Sequence, residues 1–346
     1  MRGCIIALQP KIFRFVISTF MRVLKLLLIF ALLTAGIAWI ALRPLPHSAD
    51  SVAFSIPPGA SLRRAAQVVE SSGIDLPAWQ FELLGRLLGR AAQIKAGSYE
   101  VAGQITARQL LDKLTRGDVS QGQLVLVEGL TFKAFRATLN ATPDLAHDSV
   151  ALSDAALLAH LGATEASPEG LFFPDTYLFD KGSSDLHLLA RAYHAMQRQL
   201  AIAWETRDQK IPLKTPYELL TLASLVEKET GQASDRPQIA AVFMNRLRMG
   251  MPLQTDPAVI YGLGEHFDGN LRRIDLQTDT PWNTYTRRGL PPTPITTPGF
   301  ATLNATAHPP VSDKVYFVAK GDGHSVFSRT LEAHNRAVAK YQRGQK

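Results

Sequence analysis

The sequence predicts an α+β fold behind a single apolar amino-terminal helix. Three observations carry this: an uncharged run at residues 26–42, short strand–turn–helix units as far as residue 139, and a mostly helical stretch from Ser153 that ends in a hairpin and a closing helix. With 346 residues, 46% of them hydrophobic and 19% charged, the chain has material for two or three folded domains and no large disordered block.

The run LLLIFALLTAGIAWIAL, Leu26 to Leu42, departs from the apolar set only at Thr34 and Gly36. At about 1.5 Å per residue it covers roughly 26 Å, close to the hydrocarbon thickness once Lys25 and Arg43 extend toward the headgroups. Arg2, Lys11, Arg14, Arg22 and Lys25 precede it and Arg43 follows. This bias places residues 1–25 in the cytoplasm and exports the rest, a single pass through the inner membrane. A cleaved signal peptide would have a shorter apolar region and a clean A-x-A site, which is missing after Leu42, so a signal anchor is expected. The segment before Met21, with IIAL and FRFVISTF split by Pro10, is unusual for a short tail, and Met21 is an alternative start. Six of the net seven positive charges lie in residues 1–43, and the remaining 31 bases and 30 acids nearly cancel. The basic balance is therefore a topology signal, and no nucleic-acid footprint is expected. Cys4 is the only cysteine, so the exported part has no disulfide framework.

Residues 43–50 read as a proline-bearing stalk. The segment 51–120 opens with an alternating strand, a Pro-Pro-Gly turn and a helix capped by Ser61. A helix from Pro77 to Leu88, a strand at KAGSYEV, and a helix capped by Thr106 and closed by Gly117 follow. The opening unit recurs at Gln123–Leu139, where Glu128-Gly129-Leu130-Thr131-Phe132-Lys133 aligns with Pro58-Gly59-Ala60-Ser61-Leu62-Arg63. Two copies are too few for a solenoid; a recognition module and a frequently used turn both explain them. The rest, 121–346, reads as a catalytic-sized α+β domain. It has helices at Ser153–Leu161, Asp185–Arg207, Thr215–Thr230 and Asp235–Met249, then long polar loops. A hairpin turning at Gly321-Asp322-Gly323 and a final helix from Thr330 to about Tyr341 close it.

Chemistry has few places to sit. His308, His324 and His334 lack the short helical spacing of zinc ligands, and no G-x-S-x-G elbow, phosphate loop or dinucleotide fingerprint occurs, so no metal and no cofactor are expected. What stands out is TLASLVEKETG, residues 221–231, an apolar helix ending in Glu227 and Glu229. Carboxylates there are either solvated where the helix surfaces or held in a dry pocket for acid–base work. Aromatic and polar residues in the loops suit a carbohydrate, whose rings stack and whose hydroxyls need partners: Phe172, Phe173, Tyr177, Gln254, Trp282, Asn283 and Tyr285.

Five stretches, EGLFFPDTY, LASLVEKET, VFMNRLRMGMPLQTDPAVIYGLG, NTYTRRGLPPTPITTPG and YFVAKGDGHSVFSRTLEAHN, resemble in order the endolytic murein transglycosylase family over essentially the whole exported chain. The resemblance implies cleavage of the MurNAc–GlcNAc bond within peptidoglycan glycan strands, leaving 1,6-anhydro ends and limiting strand length. It also implies a LysM-like glycan-binding subdomain in 51–120, and peptidoglycan synthases become candidate partners. By resemblance Glu227 is the catalytic acid, with Phe173, Tyr177, Gln254, Asp256, Asn283 and Tyr285 binding substrate. The residues themselves do not choose between the glutamates. They point about 200° apart on a helix, Glu227 beneath small Ala223 and Ser224, Glu229 beneath Leu225 and Val226. One glutamate suffices in a lytic transglycosylase, because the substrate's own C6 hydroxyl is the nucleophile. Asp256 and Asp175 are rival second carboxylates. Trp282 and Thr297 depart from the family's usual tyrosine and asparagine, which bears on subsite preference. Two other classes compete: a non-catalytic membrane-tethered peptidoglycan-binding scaffold, and a pyridoxal-dependent lyase, which the missing phosphate cup disfavours.

Overall fold

The computed structural model describes residues 10–46, 51–342 and 344, with side chains from Phe20 onward. The chain forms two compact units, one of residues 1–121 with 180–182, the other of residues 122–179 with 183–346.

In the first unit, helix α1 (Pro10–Leu42) contains the apolar stretch Phe20–Leu42, whose side chains are almost all exposed. The helix starts earlier than the apolar run that the sequence marks, because Pro10 is tolerated at a helix start. Strand β1 (Pro44–Leu45) follows at once, so the expected stalk begins as a strand; residues 47–50 lie outside the described ones. Strand β2 (Ser51–Ile56) alternates exposed and buried positions, as a half-buried strand should. Helices α2 (Leu62–Ser71) and α3 (Ala78–Leu87) come next, then β3 (Gly97–Ala102), β4 (Ile105–Thr106) and α4 (Ala107–Arg116). β2 pairs antiparallel with β3, Phe54 opposite Tyr99, and β1 pairs with β4. The caps are those of the sequence: Ser61 accepts the Arg64 N–H, and Thr106 forms a capping box with Gln109. Pro77 sits at the cap of α3, one place before its expected position. Phe54, Ile56, Leu62, Val69, Phe81, Tyr99, Leu110 and Leu114 form the core. Residues Asp180–Gly182 return to this unit, where the Lys181 N–H donates to the Ser120 carbonyl (3.1 Å).

The second unit opens with strand β5 (Gln121–Val125) and helices α5 (Phe132–Asn140) and α6 (Asp154–Leu161). Strand β6 (Thr176–Asp180) pairs with β5. Gly122 is required there, since a Cβ would fall 2.4 Å from the Phe179 ring. Helices α7 (Asp185–Thr206), α8 (Pro216–Glu229) and α9 (Arg236–Arg248) form the bulk of the unit. The segment that reads as loops contains three more helices, α10 (Asp256–Leu263), α11 (Arg273–Gln277) and α12 (Phe300–Ala307). Strands β7 (Tyr316–Ala319) and β8 (Ser325–Ser328) make the expected hairpin, and α13 (Leu331–Tyr341) closes the chain.

Helix α8 is the axis of this unit. Thr215 caps it by accepting the Glu218 N–H, Pro216 occupies its first turn, and Leu219 to Val226 are all buried. It packs against α7, α9, α10 and α12. The Ser224 hydroxyl accepts the Ile295 N–H (3.0 Å), which pins the 294–299 loop along the helix.

Candidate active site

Glu227 and Glu229 leave α8 toward different surroundings. The Glu227 side chain is 6% exposed. One of its oxygens accepts the Gly299 N–H (3.1 Å), and the other lies 3.5 Å from Nη2 of Arg236 at the start of α9. The same Nη2 is 3.8 Å from a carboxylate oxygen of Glu128, in the turn between β5 and α5. A Cβ on Gly299 would meet Glu128 Oε1 at 1.7 Å, so a larger residue there would displace the half-exposed Glu128 side chain from this cluster. A carboxylate near a helix carboxyl terminus meets the negative end of the dipole, and Arg236 offsets that. These contacts tie α8, α9 and the Gly299 loop together. Sequence reasoning did not anticipate Glu128 or Arg236 here, since neither lies near Glu227 along the chain.

The Glu229 carboxyl is pushed up to about 7. Burial is the main cause and the negative charge of Asp256 adds to it, while the Arg246 cation pulls the other way. Arg246 is itself buried and tied to the chain, donating to the carbonyls of Val315 and Leu253 (2.7 Å each) and to the Gln254 side chain (3.3 Å). Gln254 has φ +50°, which places it in the left-handed region where side chains are disfavoured. Asp256 accepts the Tyr285 hydroxyl (2.5 Å), and burial followed by this carboxylate raises the tyrosine's pKa.

Of the residues expected to bind sugar, Asp256 and Tyr285 thus act on Glu229, and Gln254 joins them through Arg246. The other three are employed differently. Asn283 is fully buried. Its amide donates to the carbonyls of Asp275, Leu276 and Thr278, and its oxygen accepts from the N–H groups of Tyr285 and Thr286. It is a loop-holding residue with no group left for a ligand. Tyr177 is buried on β6 with its hydroxyl donating to the Phe173 carbonyl (2.8 Å), and burial pushes its pKa up to about 12. Phe173 packs against the same core. Both belong to the hydrophobic interior, and the polar composition of neighbouring segments gave no sign of that. Trp282 donates to the Thr293 hydroxyl and meets Tyr261 edge-on. Of the rival carboxylates, Asp175 accepts the Thr176 N–H (2.7 Å), an ordinary turn role.

A second perturbed carboxyl was not foreseen. Glu169 is 4% exposed and accepts the Phe132 N–H through both oxygens (3.0 and 3.1 Å) and the Tyr261 hydroxyl (3.1 Å). Burial nevertheless pushes it up to about 7. It lines a cavity of about 390 Å³ with Phe132, Lys133, Arg136, Asp154, Ser167, Pro168 and Tyr261. Asp256 opens α10 and Tyr261 lies five residues on, so one helix supplies a neighbour to each carboxyl.

Comparison with known proteins gives this arrangement a lineage. Residues 54–340 match the model of the YceG-like family. The chain belongs to that family. A relative in Bacillus subtilis strain 168, named endolytic murein transglycosylase, is 31% identical over 311 residues, covering 85% of this chain and 86% of its own. One of the same name in Streptococcus pneumoniae strain R6 is 29% identical over 360 residues; the match covers 92% of this chain but only 65% of that longer protein. The crystal structure of a putative YceG-like protein from Listeria monocytogenes superposes with a TM-score of 0.51 at 30% identity, covering 84% of this chain and 99% of that one.

Proposed function

We propose that the chain is an endolytic murein transglycosylase, cleaving the MurNAc–GlcNAc bond within peptidoglycan strands, with Glu229 as the acid and base. The observation that carries the residue assignment is the Glu229 carboxyl, raised to about 7 by burial and by the charge of Asp256, with Tyr285 on that same carboxylate. A carboxyl of that kind holds its proton near neutrality and can give it to the departing glycosidic oxygen. As the bond from C1 to that oxygen breaks, positive charge builds on the sugar ring, and Asp256 is placed to favour it. Glu229, now ionised, takes the proton of the C6 hydroxyl as that oxygen bonds to C1. The proton balance closes on one residue, and no water is consumed.

Glu227, the residue that the resemblance favours, is held by the Arg236 guanidinium and the Gly299 N–H. Around this chemistry we place a signal anchor at 26–42, with residues 1–25 cytoplasmic and the remainder periplasmic, on the Lys and Arg bias. For the first unit we propose a LysM-like, glycan-holding role. Its two-stranded sheet bracketing two helices suits a small binding module, and wall synthases are candidate partners.

Mass spectrometry of fragments released from purified peptidoglycan in ¹⁸O-labelled water tests the reaction. Anhydro-muramic ends without label are expected; labelled reducing ends would make the protein a hydrolase. Glu229→Gln should reduce cleavage by about 10²–10⁴-fold while the fold persists. Glu227→Gln should cost stability more than activity per folded molecule, since it leaves Arg236 half-paired. The reverse pattern would return the acid to Glu227.

A further inference from the structure

We infer that the Glu169 cavity binds the charged peptide stem of the glycan strand. This rests on the transglycosylase proposal above and extends it to a part of the substrate that none of the contacts at Glu229 addresses. The glycan backbone is neutral, and a neutral ring gains little from ionised side chains. The residues near Glu229 suited to rings and hydroxyls are Tyr285 and Gln254. The cavity is of another kind. Its lining brings two cations, Lys133 and Arg136, together with the exposed acid Asp154, while Glu169 behind them already accepts the Phe132 N–H and the Tyr261 hydroxyl. A mixed lining of this sort complements a ligand carrying both carboxylates and an ammonium group, which is the chemistry of a stem peptide with acidic and diamino-acid residues.

The cations differ in kind. Arg136 is fixed, with one nitrogen donating to the Ser149 carbonyl (2.8 Å), another to the Leu152 carbonyl (3.4 Å), and its guanidinium over the Phe132 ring. Lys133 is 80% exposed and paired with Glu265, itself 84% exposed. Such an exposed pair holds little and can be exchanged for an incoming carboxylate. The cavity is tied to the same helix as the first site: Tyr261, which lines it, lies five residues along α10 from Asp256. Tyr261 links the two places, donating to Glu169 and meeting Trp282 of the loop that carries Tyr285.

The test compares cleavage of peptide-bearing strands with strands stripped of peptide by an amidase, using the full-length chain in detergent. The readout is the ratio of kcat/KM on the two substrates. Lys133→Glu and Asp154→Asn are chosen because both side chains stand at the surface, where substitution spares the fold. The ratio should favour peptide-bearing strands in the unaltered chain and fall about three- to tenfold in Lys133→Glu, with a smaller fall in Asp154→Asn. A ratio unchanged in both variants, with both substrates still cleaved, would overturn the stem subsite and leave the transglycosylase proposal intact. If the unaltered chain cleaves neither substrate, that proposal fails and the subsite falls with it.

Discussion

Replacing Glu169 by glutamine should change how stability depends on pH, by an amount set by its surroundings. Its carboxyl is 4% exposed and raised from 4.5 to about 7, with burial as the main cause. Below pH 4.5 both folded and unfolded chains carry this proton, so it contributes nothing. Between 4.5 and 7 the unfolded chain has released the proton and the folded chain keeps it, so stability falls as pH rises. Above 7 the folded carboxyl ionises as well, and the loss levels off at up to about 3 kcal/mol, at about 1.4 kcal/mol per pKa unit. Glutamine fills the same space without titrating, so its constant cost cancels when the pH dependence alone is compared. Glu229 titrates in both proteins and cancels too. Thermal unfolding at pH 4.5 and 8.0 is the assay. For a unit of this size, about 2–4 °C per kcal/mol predicts that the unaltered protein loses about 6–12 °C relative to Glu169→Gln between the two pH values. Parallel curves would refute the buried, proton-holding Glu169.

Two other outcomes are expected. With Glu229 as the proposed acid, the cleavage rate should fall as pH rises through about 7, where its carboxyl loses its proton, and Glu229→Asp should move that limb; a flat profile from pH 6 to 8 would count against Glu229. Gln254→Gly should relieve a left-handed backbone and stabilise the protein by up to about 1 kcal/mol in a urea titration, while lowering activity because the contact to Arg246 is lost.

The local features were the most legible in the sequence. Ser61, Thr106, Thr131, Ser153 and Thr215 all cap the helices they precede, because an N-cap is decided within four residues. Helices α10 and α12 were hidden because each is only eight residues long and flanked by proline, threonine and glycine, which dominate the composition. The site was legible as a place but not in detail. A helical projection separates Glu227 from Glu229 but does not say which outside segment covers each. Asp256 reaches one, Arg236 and Gly299 the other, from 27 and from nine or more positions away. Asn283 misled for a related reason, since a polar residue in a polar loop gives no sign that it faces inward.

Residues Asp180–Gly182 belong to the first unit although nearly sixty residues of the second separate them from Gln121. This sets a schedule for synthesis. A ribosome adding about 5–20 residues per second needs about 3–12 s to cover that stretch. Through that interval the Ser120 carbonyl waits for the Lys181 N–H that will occupy it. The first unit is therefore begun early and finished late, and a gene cut at Gln121 encodes a module permanently short of its final strap.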